Sequence, residues 1–293
     1  MKATIAMPGS CGELVQGIID SHDIHITCPI NRFSIAHVRV KPRGGLQAPA
    51  GLNKTADAVT KALELIGTVN SAEIEISSDL PHGKGMASST ADIGAALSAL
   101  YMACERTVTE RELAQIALAV EPTDGTLFSG IFAFDHINGE VCERISDAPP
   151  IDVIVLEPTA IVDTVTFNRA KETPMLDTYI VREAYEMAVV GLQSLDIKLI
   201  GEAATISAVA NQAILPKRDL QDVIDATKRR GALGVNVAHS GTVMGILAER
   251  GYAGRLLDKI AYLVPRTWDA YVVSVINGGA REATADPVVV NKT

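Results

Sequence analysis

Residues 80–92 read Leu80-Pro81-His82-Gly83-Lys84-Gly85-Met86-Ala87-Ser88-Ser89-Thr90-Ala91-Asp92, and they constrain the fold more than any other stretch. Before them, the alternation of Glu73, Ile74, Glu75 and Ile76 predicts a strand over 72–77. After them, Ile93, Leu97, Leu100, Tyr101 and Cys104 share one helical face, while Gly94, Ala95, Ser98 and Ala99 make the other face small. A helix so short of long polar side chains is expected to be buried on most sides. A strand that turns through two glycines into such a helix brings unpaired amides and the positive end of a helix dipole to one point, which suits phosphate. Lys84 can add a point charge there, and a Ser or Thr hydroxyl in the first turn can help hold Mg²⁺. The order differs from the Walker pattern, whose lysine follows the second glycine. Read alone, the same residues also describe an ordinary capped helix start.

The remaining periodicity organises the chain around this loop. Residues 2–7 and 33–41 read as strands, and a helix is predicted from Asn53, with Val59, Ala62, Leu63 and Ile66 on one face and Gly67 closing it. Thr109-Glu110-Arg111-Glu112 is a capping box opening a helix that carries Leu113, Ile116, Ala117 and Val120, and Pro122 stops it. Residues 131–135 and 140–145 flank Asn138-Gly139 and predict a hairpin. Asp147-Ala148-Pro149-Pro150 is the best boundary, dividing the chain into units 1–148 and 149–293. The second unit reads as a strand at 151–157, helices near 174–195, 199–213 and 220–229, strands at 235–239 and 243–248 about Gly241, a helix at 253–263 and a strand at 270–276. That order predicts an α+β fold, an antiparallel sheet covered on one face in the split βαβ manner, with extra helices in the first crossover.

Charge and composition narrow the function. With 26 basic residues against 35 acidic ones, the net charge of −9 offers no broad footprint for nucleic acid, so any anionic ligand must be held locally. Trp268 and the few other aromatics form no stacking series for single strands. The start shows no apolar signal core and no apolar run approaches a membrane span, so a cytoplasmic location is expected, without membrane partners. Cys11, Cys28, Cys104 and Cys142 form no CxxC pair and have no histidine cluster beside them, so they are expected to be reduced, mostly buried thiols.

Glu121-Pro122-Thr123-Asp124 sets two carboxylates in a rigid turn behind a helix, although a solvated terminus and an Asp-Gly turn would read the same. Ser10, Cys11 and Glu13 read plainly as a strand-to-loop turn, and His82 and His239 as hydrogen-bonding loop residues.

The stretch Pro81 to Ala91 resembles the phosphate-binding motif, roughly P-x-x-x-G-L-G-S-S-A, of the kinase superfamily containing galactokinase, homoserine kinase, mevalonate kinase and phosphomevalonate kinase. Met86 stands for the leucine, Ala87 for the third glycine and Thr90 for the alanine. Pro8-Gly9-Ser10-Cys11-Gly12-Glu13-Leu14-Val15-Gln16-Gly17 resembles the first motif, a loop lining the acceptor. Asn236-Val237-Ala238-His239-Ser240-Gly241-Thr242-Val243-Met244-Gly245 resembles the third, a glycine-rich hairpin, here with only Gly241 and Gly245. Within the superfamily the chain is most similar to the L-threonine kinases that feed adenosylcobalamin synthesis, through these stretches and through Val120 to Asp124 and Gly201 to Thr205.

The resemblance implies a two-domain small-molecule kinase fold, with a ferredoxin-like C-terminal domain and the active site in the interdomain cleft. It implies transfer of the ATP γ-phosphoryl to the hydroxyl of L-threonine, with Mg²⁺. Nucleotide would be bound by Pro81, His82, Gly83, Lys84, Gly85, Met86, Ala87, Ser88, Ser89 and Thr90, and metal by Ser89 and Glu121. Asp124, Lys84 and Ser89 would carry the chemistry, Asp124 by orienting the attacking hydroxyl. The acceptor would meet Ser10, Cys11, Glu13, Asp124, Ser240 and Gly241, with Glu13 on its ammonium group and Ser10 and backbone amides on its carboxylate. A homodimer is compatible with the chain. Homoserine kinase or another small-alcohol kinase is the alternative within the class. A catalytically silent sensor is the alternative outside it, against which the presence of Ser89, Glu121 and Asp124 argues.

Overall fold

A computed structural model describes residues 1–42, 44–67, 71–159 and 178–283. Its strands form one sheet whose main path runs β10-β7-β9-β8-β1-β2-β4-β3. The strands are β1 (Lys2–Ile19), β2 (His22–Val40), β3 (Leu46–Gln47), β4 (Ala72–Ser78), β5 (Ile131–Asp135), β6 (Cys142–Ser146), β7 (Ile151–Pro158), β8 (Gly234–Val237), β9 (Met244–Glu249), β10 (Trp268–Ser274) and β11 (Arg281–Glu282). The helices are α1 (Asn53–Ile66), α2 (Ser88–Ala103), α3 (Glu110–Leu118), α4 (Thr178–Ser194), α5 (Ile197–Ala210), α6 (Leu220–Lys228) and α7 (Ala253–Ile260). The part of the expected fourth helix at 174–177 lies outside the described residues.

The largest departure from the sequence reading is at the N-terminus. Residues 8–17, expected as a loop, continue β1, which pairs with β2 along almost its whole length. Register shifts at Pro8/Ser10, Ser10/Glu13 and Glu13/Val15 absorb the extra residues as bulges, so the breakers bend a strand without ending it. Gly12 shows why glycine is needed there. Its φ is +59°, and a Cβ would lie 2.5 Å from the Val237 carbonyl, closing the space through which β8 pairs with β1 at Glu13 and Val237.

In the second half the antiparallel order β10-β7-β9-β8 follows the ferredoxin-like pattern, as the order of elements requires. This half joins the first through β8 on β1, and β11 returns to pair Glu282 with Ile5 and Arg281 with Ala6. The expected hairpin is β5 with β6, and Thr109 and Glu112 form the expected capping box of α3.

α2 packs against β1 and β2 with Ile93, Ala95, Ala96, Leu97, Ala99 and Leu100 buried, so its small face lets the backbone approach the sheet. Gly94 has the Met7 side chain against the position a Cβ would take. This burial anchors the N-terminus of α2, where the site lies. Among the described residues, no helix is long and apolar enough to cross a membrane.

Candidate active site

A cavity of about 360 Å³ opens at the N-terminus of α2. Residues 82–83 and 85–90 form one wall and residues 51–55 another, while Glu121, Pro122 and Asp124 line a third side. Glu13 and His25 reach it from the sheet, His136 from the turn after β5, and His239 and Ser240 from the second half.

The loop owes its shape to three left-handed residues, Gly83 (φ 72°), Gly85 (φ 80°) and Ala87 (φ 53°). Ala87 occupies the position of the motif's third glycine, and a left-handed alanine costs about 1 kcal/mol. Ser10 N–H donates to the Met86 carbonyl at 3.1 Å, and the amides of Thr242 and Val243 donate to the Lys84 carbonyl at 3.0 and 3.2 Å. The first and third motifs therefore grip the backbone of the second from both sides. No side chain caps α2, so its first-turn amides keep their capacity for an anion.

Consecutive hydroxyls in that first turn reach different carboxylates of one turn. Ser89 Oγ donates to Glu121 Oε1, whose other oxygen is paired with Lys54 Nζ. Thr90 Oγ1 lies 3.4 Å from Asp124 Oδ2 and accepts from the Asp124 amide at 3.2 Å. The Ser89 and Glu121 oxygens are hard donors side by side at a helix start, and they fit Mg²⁺.

Behind Asp124 lies a buried polar group. His25 Nδ1 is 3.8 Å from Asp124 Oδ1 and 4.0 Å from Glu13 Oε1, and it has no hydrogen-bond partner among the described residues. Glu13 Oε2 is likewise unpartnered. Burial, together with the Asp124 charge, raises the Glu13 carboxyl well above its usual range despite a hydrogen bond from Thr27. Burial raises Asp124 too, opposed by His136, His239 and Thr90.

His25 stacks on His136 with centroids 3.8 Å apart, and His239 tilts against His25 at 4.6 Å. Burial holds all three imidazoles below their ordinary value, His239 at about 4. His239 Nδ1 meets Gln16 Oε1 at 3.0 Å, and Gln16 Nε2 donates to the Val237 carbonyl at 3.1 Å, which ties this ring to β1 and β8.

The cavity thus brings together Glu13, His82, Gly83, Gly85, Met86, Ala87, Ser88, Ser89, Thr90, Glu121, Asp124 and Ser240 of the residues expected to act. Five others do not line it. Lys84 is buried with its ammonium on the Pro158 carbonyl at the end of β7, so it points out of the loop's concave side. Cys11 is fully buried, its thiol pushed up to about 12 by burial, and its carbonyl accepts from Asn236 Nδ2 at 2.5 Å. Ser10 is buried beside it with its amide already used on Met86. Pro81 lies outside the lining, and Gly241 packs on the backbone of Lys84 and Gly85.

Sequence reasoning did not find Lys54, His25 or His136. Lys54 was hidden in the start of α1 and His136 in a hairpin. His25 lies among residues 18–32, for which no element is predicted, and its period-two relation to Thr27 was the available clue.

Residues 52–134 match the family described as GHMP kinases N terminal domain, and residues 188–265 match GHMP kinases C terminal. The chain is 30% identical over 285 residues to an L-threonine kinase of Salmonella typhimurium (strain LT2), covering 95% of each chain. It is 32% identical over 252 residues to an L-threonine kinase of Citrobacter freundii, covering 85% of this chain and 87% of that one. In fold it is similar to the homoserine kinase from Cytophaga hutchinsonii, with a TM-score of 0.76, 17% identity and 96% of each chain covered. The L. major mevalonate kinase in complex with R-mevalonate gives a TM-score of 0.71 at 15% identity, covering 94% of this chain and 96% of that one.

Proposed function

The chain belongs to the GHMP kinases, and from that membership we propose that it transfers the γ-phosphoryl of ATP to the hydroxyl of L-threonine, giving O-phospho-L-threonine and ADP. The observation that carries the reading is the pairing of neighbouring first-turn hydroxyls with two carboxylates, Ser89 with Glu121 and Thr90 with Asp124, at an uncapped helix start. Phosphoryl transfer asks a protein for little covalent chemistry; it asks for charge neutralisation and an aligned acceptor.

The amides of the loop and of α2's first turn bind the phosphates. Ser89 and Glu121 would hold Mg²⁺, which when bound would supply charge neutralisation on the phosphate oxygens. Asp124 orients the attacking hydroxyl and takes its proton, and burial, by raising its carboxyl, makes it the better base for that step. Glu13, beside His25 on the same wall, pairs with the acceptor's ammonium, and Ser240 contacts the acceptor from the second half. Lys84, Cys11, Ser10, Pro81 and Gly241 support the loop and the sheet behind it. In this reading units 1–148 and 149–293 close on the cleft, and the protein works in the cytoplasm as a supplier of O-phosphothreonine to adenosylcobalamin synthesis.

The test is to incubate the protein with Mg²⁺-ATP and, separately, L-threonine, L-serine, L-homoserine, mevalonate and galactose, measuring ADP and phosphorylated product. Threonine-dependent ADP supports the reading. Preference for homoserine overturns the acceptor, and the absence of ADP with every acceptor overturns the enzyme in favour of a silent sensor.

A further inference from the structure

The charges around the cavity do not match a polyanionic nucleotide. Glu13, Asp92, Glu121 and Asp124 all line it, and its three clustered histidines are kept neutral by burial. The lysine that the loop sequence offers, Lys84, is turned away onto Pro158. Among the described residues, the only lysine or arginine on the lining is Lys54.

Lys54 is the second residue of α1. A cation in the first turn opposes the helix dipole, and α1 has no acidic residue there and no side-chain cap to compensate. Local helix stability therefore does not account for lysine at this position, and such conflicts between a residue and its element are expected at functional sites. The starts of α1 and α2 both line the cavity, each without a side-chain cap, and Lys54 lies at the first of them. Its ammonium is paired with Glu121 Oε2, the oxygen that Ser89 does not use. The lysine side chain is 43% exposed against 16% for Glu121, so the lysine is the partner with freedom to move.

Resting on the kinase reading, we propose that Lys54 is the phosphate-binding cation of this site, held in reserve on Glu121 while the nucleotide is absent and transferred to the phosphates when it binds. A divalent ion and the Lys54 ammonium compete for the same carboxylate. Once the ion takes Glu121, the ammonium is released to meet the polyphosphate on the loop. An ammonium on a flexible stem suits this exchange because it serves as a point charge with no fixed fork geometry to satisfy.

The experiment compares the binding of ATP and adenosine by calorimetry to the full chain, Lys54→Met and Lys54→Arg, in EDTA and in Mg²⁺. The expected result is that Lys54→Met weakens ATP by about tenfold (~1.4 kcal/mol), more in Mg²⁺, where the ion has taken Glu121, than in EDTA, while adenosine binding changes less than about twofold. Lys54→Arg recovers most of the ATP affinity, and the melting temperature of both variants stays near that of the parent. ATP affinity unchanged in Lys54→Met overturns the proposal. So does an equal loss for ATP and adenosine, since that marks a merely structural role. Either result, with threonine phosphorylation by the parent intact, retires Lys54 alone; a parent that binds no ATP at all retires the kinase reading with it.

Discussion

Asp124 and Thr90 are joined twice, the threonine hydroxyl accepting from the aspartate amide at 3.2 Å and facing its carboxylate at 3.4 Å. The first turn of α2 thereby sets the carboxylate's position, and the residue before Thr90 reaches Glu121. Asp124→Asn keeps this geometry but removes the proton acceptor. Its turnover with threonine should fall at least tenfold, a barrier increase of about 1.4 kcal/mol, with the KM for ATP little changed. Steady-state kinetics at saturating Mg²⁺ decide it; full turnover would remove Asp124 from the chemistry.

Glu121→Gln should behave differently. The loss is again about tenfold or more at ordinary Mg²⁺, but it should be partly recovered as Mg²⁺ is raised, because a weakened metal ligand is answered by mass action. A Mg²⁺ titration of initial rate distinguishes this from a fixed loss, which would place Glu121 outside the metal site.

Burial holds His239 at about 4 in the folded protein, against about 6.5 when unfolded. Between these values the unfolded chain binds the proton and the folded one does not, so this residue's contribution to stability is present above about pH 6.5 and is lost as pH falls toward 4. His25 and His136, shifted the same way, add to the loss. Glu13, shifted upward, acts in the opposite sense: its contribution is present at low pH and declines as pH rises through its raised value. Urea unfolding at several pH values should show His239→Gln losing on the order of 2 kcal/mol of the pH dependence between pH 6.5 and 4. An unaltered slope would mean that this ring is not held neutral.

At Ala87 the φ of 53° strains an alanine where the related motif has glycine. Relief of that strain outweighs the added freedom of the unfolded chain, so Ala87→Gly should raise stability by about 0.5 kcal/mol, and Ala87→Val should cost about 1–2 kcal/mol or more. Denaturant midpoints measure both. A destabilised glycine variant would contradict the left-handed assignment.

Much of this was legible in the sequence because the relevant patterns are local. The capping box at Thr109, the left-handed Gly67 after α1 and the small face of α2 are each set by residues a few positions apart. The second half's order of strands and helices likewise carried its topology. Residues 8–17 misled because glycines and a proline are loop formers locally, whereas pairing with β2 and the approach of β8 to Gly12 make them a bulged strand. Lys84 misled for a related reason: the loop motif places the residue, but the direction of its side chain depends on β7, some seventy positions on. The histidine cluster required His25, His136 and His239 to converge, which no spacing announces.

The return of β11 to Ile5 and Ala6 reaches beyond catalysis. During synthesis β1 leaves the ribosome well before β8 and β11, and the flank of β1 opposite β2 stays bare until they emerge from the exit tunnel. A fragment cut near residue 148 would carry that naked backbone edge permanently, a template for self-association, whereas in the chain with both halves β8 and β11 cover it.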